Sequence, residues 1–102
     1  MITQLQDNIL IINEHHIELD DIKSIGRIEK TINVSSKSAK LAIELSTTKE
    51  AKIAINYLEK LLLANKHFIR CDSNVIINVK ALESISVKKL NNNNDYAAKL
   101  NF

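Results

Sequence analysis

Two pairs of side chains in this sequence invite a first test for chemistry: His15 with His16, and His67 with Cys71. Neighbouring histidines in a strand point to opposite faces. Without a matching Cys, His or carboxylate pattern they form no recognisable zinc site and are expected as solvated turn residues. His67 and Cys71 are four residues apart, and strand alternation puts them on one face, but no third group is in place to orient the imidazole as a base for the thiol. Cys71 is therefore expected to be buried and inert. Asp20-Asp21 form a carboxylate pair with no sign of a cleft around it. One glycine, Gly26, cannot build a phosphate-cradling loop. An aromatic content of 4% is too low for a surface that stacks single-stranded bases. No enzymatic activity, metal or cofactor is expected.

The elements that must position any remaining functional side chain are bounded by composition. A chain of 102 residues with 45% hydrophobic and 25% charged content suits a single domain, 1–102, with one modest core. The net charge of +2 and pI of about 8.7 allow an acidic partner but fall short of the clustered basicity of a strong nucleic-acid binder. Cys71 has no second cysteine with which to form an internal disulfide. With no signal-like apolar block at the N-terminus, the expected compartment is the cytoplasm. No apolar run approaches the roughly 18 residues needed to cross a bilayer.

With no proline, turns must come from polar clusters: Asn13 to His16, Ser35 to Ser38, Asp72 to Asn74, and Asn91 to Asp95. Strand patterns lie between them, at Asn8 to Ile12, around Ile17 and Leu19, less regularly over Ser24 to Val34, and most strictly over Ala39 to Leu45. A helix is predicted after Ser46, where Thr47 and Glu50 have capping-box spacing. Ala51, Ala54, Ile55, Leu58, Leu61 and Leu62 form its apolar stripe, with Lys49, Lys52, Asn56 and Glu59 opposite. Ile53, Tyr57 and Leu63 widen that stripe, either as a broad core contact or as a face for another chain. Strands are again predicted at His67 to Cys71, Val75 to Val79, Leu82 to Lys89 and Tyr96 to Asn101. The fold class is α+β, mainly antiparallel β with one long amphipathic helix packed on the sheet. Ile17, Leu19, Ile22, Ser24 and Ile25 are echoed about 60 residues later by Ile77, Val79, Leu82, Ser84 and Ile85. Two similar hairpin corners account for this echo; the absence of a second helix argues against a full duplication.

The run Phe68-Ile69-Arg70, the polar Asp72-Ser73-Asn74, then Val75-Ile76-Ile77-Asn78-Val79, Leu82 and Ile85 resembles the LytTR family of bacterial DNA-binding domains. In that family a Phe-x-Arg strand leads through a polar loop into an apolar strand ending in Val-Asn-Leu and then an Ile-x-x-Ile step. Ile17 to Ile22 is similar to the family's early strand, Ala39 to Leu45 and the helix to its central strand and helix, and Glu83 to Leu100 to its following hairpin. The resemblance implies a mostly β domain that reads successive major grooves with loop side chains. This chain departs from the family in its longer helix, in stopping at Phe102 without the usual final strand, and in having Asp72-Ser73-Asn74 in place of a His-Arg-Ser loop.

On that resemblance the expected DNA-binding residues are Arg70, Asn74, Lys66, Lys88 and Lys89. Arg70 and Asn74 have the bidentate geometry for guanine or adenine edges, and the lysines neutralise phosphates. Each has a plainer reading: Arg70 as an ion-pair partner, Asn74 as a turn former, Lys88 and Lys89 as a solvated edge. Two functions follow. One is a non-enzymatic, LytTR-like regulator of transcription that binds double-stranded DNA, as a homodimer because one short domain reads few base pairs. The other, favoured by the acidic loop, is a protein-binding factor such as a phage or mobile-element inhibitor or an immunity protein.

Overall fold

The computed structural model describes residues 1–90 and 95–102. The turn expected over Asn91 to Asp95 lies outside the described residues except for Asp95, which begins a strand. Among those described, β1 (Thr3–Gln6), β2 (Ile9–Ile12) and β3 (His15–Glu18) form a three-stranded antiparallel sheet in chain order. A five-stranded sheet follows, built from β4 (Ile22–Ile28), β5 (Thr31–Ser36), β6 (Lys40–Glu44), β7 (Phe68–Asp72) and β8 (Val75–Asn78), in the order β6-β5-β4-β8-β7. The helix α1 (Thr48–Leu62) connects β6 to β7, and β9 (Ser84–Leu90) with β10 (Asp95–Asn101) makes a separate two-stranded hairpin. The fold class is thus α+β, as the sequence implies.

Three tight turns use residues other than glycine at positive φ: Asp7 and Asn13 at 53° and Glu29 at 52°. Asp and Asn tolerate this region better than most residues because their short polar side chains bond locally. The turn at Glu29 corrects the reading of Ser24 to Val34 as a single segment: it is a hairpin of β4 and β5, with Ile25 opposite Val34 and Arg27 opposite Ile32. Strand β1, too short and polar to carry an apolar pattern, escapes the sequence reading altogether. His15 and His16 are exposed as expected, but in a strand rather than a turn.

The helix begins where Thr47 Oγ1 accepts the Glu50 backbone N–H at 3.1 Å. Its buried face is Ala51, Ile55, Leu58 and Leu62, packed against β4 and β5 and touching β1. These side chains share one core with Leu10 and Ile12 of the first sheet and Ile22, Ile25, Ile32, Val34 and Ile76 of the second. Burying each large aliphatic side chain contributes about 1.5–3 kcal/mol, so this cluster dominates stability. Ile53, Tyr57 and Leu63 stay exposed, which settles against the broad core contact.

The sequence echo corresponds to two corners built alike. In each, a hairpin (β2–β3 or β7–β8) runs into a single 3-10 turn, Leu19–Asp21 or Val79–Ala81, and then into a long strand, β4 or β9. Leu19 N–H donates to Asn8 O at 2.9 Å, and Val79 N–H to His67 O at 2.7 Å. Leu19 and Val79 therefore belong to turns rather than to the strands expected for them. Asn78 joins the two corners. Wholly buried, it donates from Nδ2 to Ile22 O at 2.9 Å and Leu19 O at 3.4 Å, while its Oδ1 accepts from Lys80 N–H at 3.1 Å.

Candidate functional site

Strand β7 delivers Arg70 to the start of the polar loop, and the pairing with β8 then slips: Arg70 lies opposite Ile76 but Asp72 opposite Val75, leaving Cys71 as the extra residue of a bulge. A bulge breaks the two-residue alternation of side chains, so the shared face expected for His67 and Cys71 is lost. Cys71 is exposed, not buried. Its thiol nevertheless sits above its ordinary pKa, because of slight desolvation first and the neighbouring Asp72 carboxylate second. Since the thiolate is the nucleophile, alkylation by iodoacetamide across a pH series is expected to have a midpoint above that of free cysteine. Asp72→Asn should lower the midpoint. A wild-type midpoint at or below that of the free thiol would contradict this description.

Two arginines brace the loop. Arg70 donates from Nε to Asp72 O at 3.0 Å, from Nη2 to Ser73 O, and from Nη1 to Asn56 Oδ1 of α1 at 2.6 Å and Glu59 Oε1 at 3.3 Å. Its guanidinium thus ties the helix to the loop, and Glu59 offsets its charge. Arg27, from β4, donates from Nε and Nη2 to Asn74 Oδ1 at 3.0 and 2.7 Å and from Nη1 to Glu29 O at 2.6 Å. Its backbone N–H also donates to Asn74 O at 2.8 Å. The Asp72 carboxylate accepts the Asn74 N–H at 2.6 Å, closing the turn from within.

Arg27, Lys52, Asn56, Arg70, Ser73 and Asn74 line a polar cleft of about 300 Å³. Among the described residues, the Lys52 ammonium, the Asn74 amide nitrogen and the Ser73 hydroxyl have no intramolecular hydrogen-bond partner there. Three cations and two uncommitted polar groups around one opening suit a phosphate oxygen or a base edge.

Of the five sequence-expected residues, the fold brings Arg70 and Asn74 together in this cleft. Lys66 lines a different one, beside Leu5, Asp7 and Leu19. Lys88 and Lys89 are exposed on β9, paired with Ala97 and Tyr96. Successive strand residues project to opposite faces, so these two lysines do not point the same way. Arg27 and Lys52 escaped the sequence reading. Lys52 was legible, since helical spacing already put it on one face with Asn56 and Glu59. Arg27 was not, because its approach depends on the long-range pairing of β4 with β8. No cluster of three or more His, Cys, Asp or Glu residues suited to a metal occurs among the described residues. Nor is any helix among the described residues long and apolar enough to cross a membrane.

No protein-family model matches this sequence, and no curated protein matches it. Among solved structures, the fold is similar to the LytTr DNA-binding domain of a Bacillus cereus protein described as a methyl-accepting/DNA response regulator. That match has a TM-score of 0.53 and 15% identity, and covers 95% of this chain and 83% of the other. This chain accordingly shares the fold of that LytTr domain, the likeness that the order of residues from Phe68 to Ile85 implied.

Proposed function

We propose that this domain is a non-enzymatic, cytoplasmic regulator of transcription that binds double-stranded DNA as a homodimer through the braced loop between β7 and β8. The observation that supports this most is the Arg27–Lys52–Arg70 cleft around Ser73 and Asn74, in a fold shared with a LytTr domain. Asn74 reads a base edge with its free amide nitrogen, and Lys52 neutralises a phosphate. Arg70 supports the reading from behind, its own donors being largely spent on Asn56, Asp72 and Ser73. Lys88 and Lys89 add diffuse attraction from the hairpin, and Lys66 a lesser share from its separate cleft. Arg70→Ala is therefore expected to weaken duplex binding and also to cost about 1–2 kcal/mol of stability, through the carbonyls it leaves unpaired. An anisotropy titration beside a urea melt checks both. Equal affinity would remove Arg70 from the account.

Exposed Ile53 and Tyr57, beside Met1 at the rim of an open cleft, support a second reading, a protein-binding factor that uses the outer flank of α1. Binding to duplex DNA that weakens steeply with salt favours the first reading; indifference to DNA even at low salt favours the second.

A further inference from the structure

We infer that the free edge of β9 in one molecule pairs antiparallel with the free edge of β3 in a second copy of this chain, extending the pairing that joins the two corners within the molecule. In the first corner, β4 has β5 on one side and β8 on the other, with Ser24 opposite Ile77, Ile25 opposite Ile76 and Gly26 opposite Val75. The strand equivalent to β4 is β9, and the strand equivalent to β8 is β3. A closed two-fold relation between the corners would pair β9 with β3 inside the chain. Among the described residues β9 pairs with β10 and β3 with β2, and neither has a second neighbour. The corner-to-corner contact is therefore heterologous, and such a contact leaves one edge of each kind unsatisfied at the two ends. Unpaired edges of this sort are templates for another strand.

The side chains agree. Ile25 is 0% exposed, whereas its counterpart Ile85 is 57% exposed and Val87, on the same face, 66%. Ile85 lies opposite Leu100 and Val87 opposite Ala98, so one face of the hairpin is an apolar stripe. A two-stranded hairpin of this kind is marginal on its own and gains from a third strand. Charge does not decide the pairing: in the register that follows, Glu14 lies diagonal to Lys89, Glu18 falls opposite Glu83, and Asp20 is already paired with Lys80. Transferring the internal register gives Ser84 opposite Ile17, Ile85 opposite His16 and Ser86 opposite His15.

Exchanged reciprocally, β9 of each copy against β3 of the other, this contact closes the homodimer proposed above; it needs no DNA, so its test is separable from the test of duplex binding. Ile85→Cys and His16→Cys, each in a Cys71→Ser background, are mixed without DNA under oxidised glutathione. Directly opposite Cβ atoms lie within reach of a disulfide, whereas diagonal ones do not. All these positions are exposed, and circular dichroism confirms that each variant folds. The mixture is expected to yield a disulfide-linked dimer, with the linked band lost when Glu18→Cys replaces His16→Cys. No linked species, or equal yield from the out-of-register pair, would overturn the inference. So would wild-type chain that sediments as a monomer at every concentration tested.

Discussion

Asn78→Ala is expected to lower stability by about 3 kcal/mol, an effect out of proportion to a polar side chain of that size. Asn78 is 1% exposed, and its amide serves Leu19 O and Ile22 O from one corner of the fold and the Lys80 N–H from the other. Removing it leaves Ile22 O and the Lys80 N–H without this partner and Leu19 O with only the turn bond from the Ile22 N–H, and each buried group left unpaired costs about 1–3 kcal/mol. Asn78→Leu should fare no better, since it fills the volume but supplies neither donor nor acceptor. A urea melt in which the midpoint falls while the slope stays constant would show the loss as one of stability. A midpoint within error of wild type would mean that the two 3-10 turns hold together without this side chain.

The other large effect is expected from Leu58→Ala, about 2–5 kcal/mol of destabilisation, because the leucine is fully buried between α1 and the sheets and leaves a cavity. Ile53→Ala, five residues earlier and exposed, is its control and should change stability by no more than about 0.5 kcal/mol. Equal effects at the two positions would contradict the orientation of the helix.

Much of this fold was legible because its signals are local. The period of α1, its Thr47 cap and the alternation in β6 need only neighbouring residues. The resemblance around Phe68 also depended on sequence order alone. The break between β4 and β5 was hidden because Glu29 turns the chain where a glycine or asparagine would have announced it. The burial of Cys71 was misjudged because a bulge cannot be seen in an alternating pattern. The candidate site was half legible. Arg70 and Asn74 stood out by type and spacing, but their bracing by Arg27 and Asn56 depends on contacts 47 and 14 residues away in sequence. The same contacts shift Arg70 from a free reader of bases to a support, and make Lys52 the better test of phosphate contact.

The central claim is that the cleft beside the β7–β8 loop docks on duplex DNA. The most direct test is the salt dependence of duplex binding by wild type and by Lys52→Ala, a substitution at an exposed helix position that should leave the fold intact. Wild type is expected to bind at low salt, with log K falling linearly against log salt, and Lys52→Ala to reduce that slope by about 1, the signature of one lost phosphate contact. No binding by wild type at low salt, or an unchanged slope in the variant, would contradict the account.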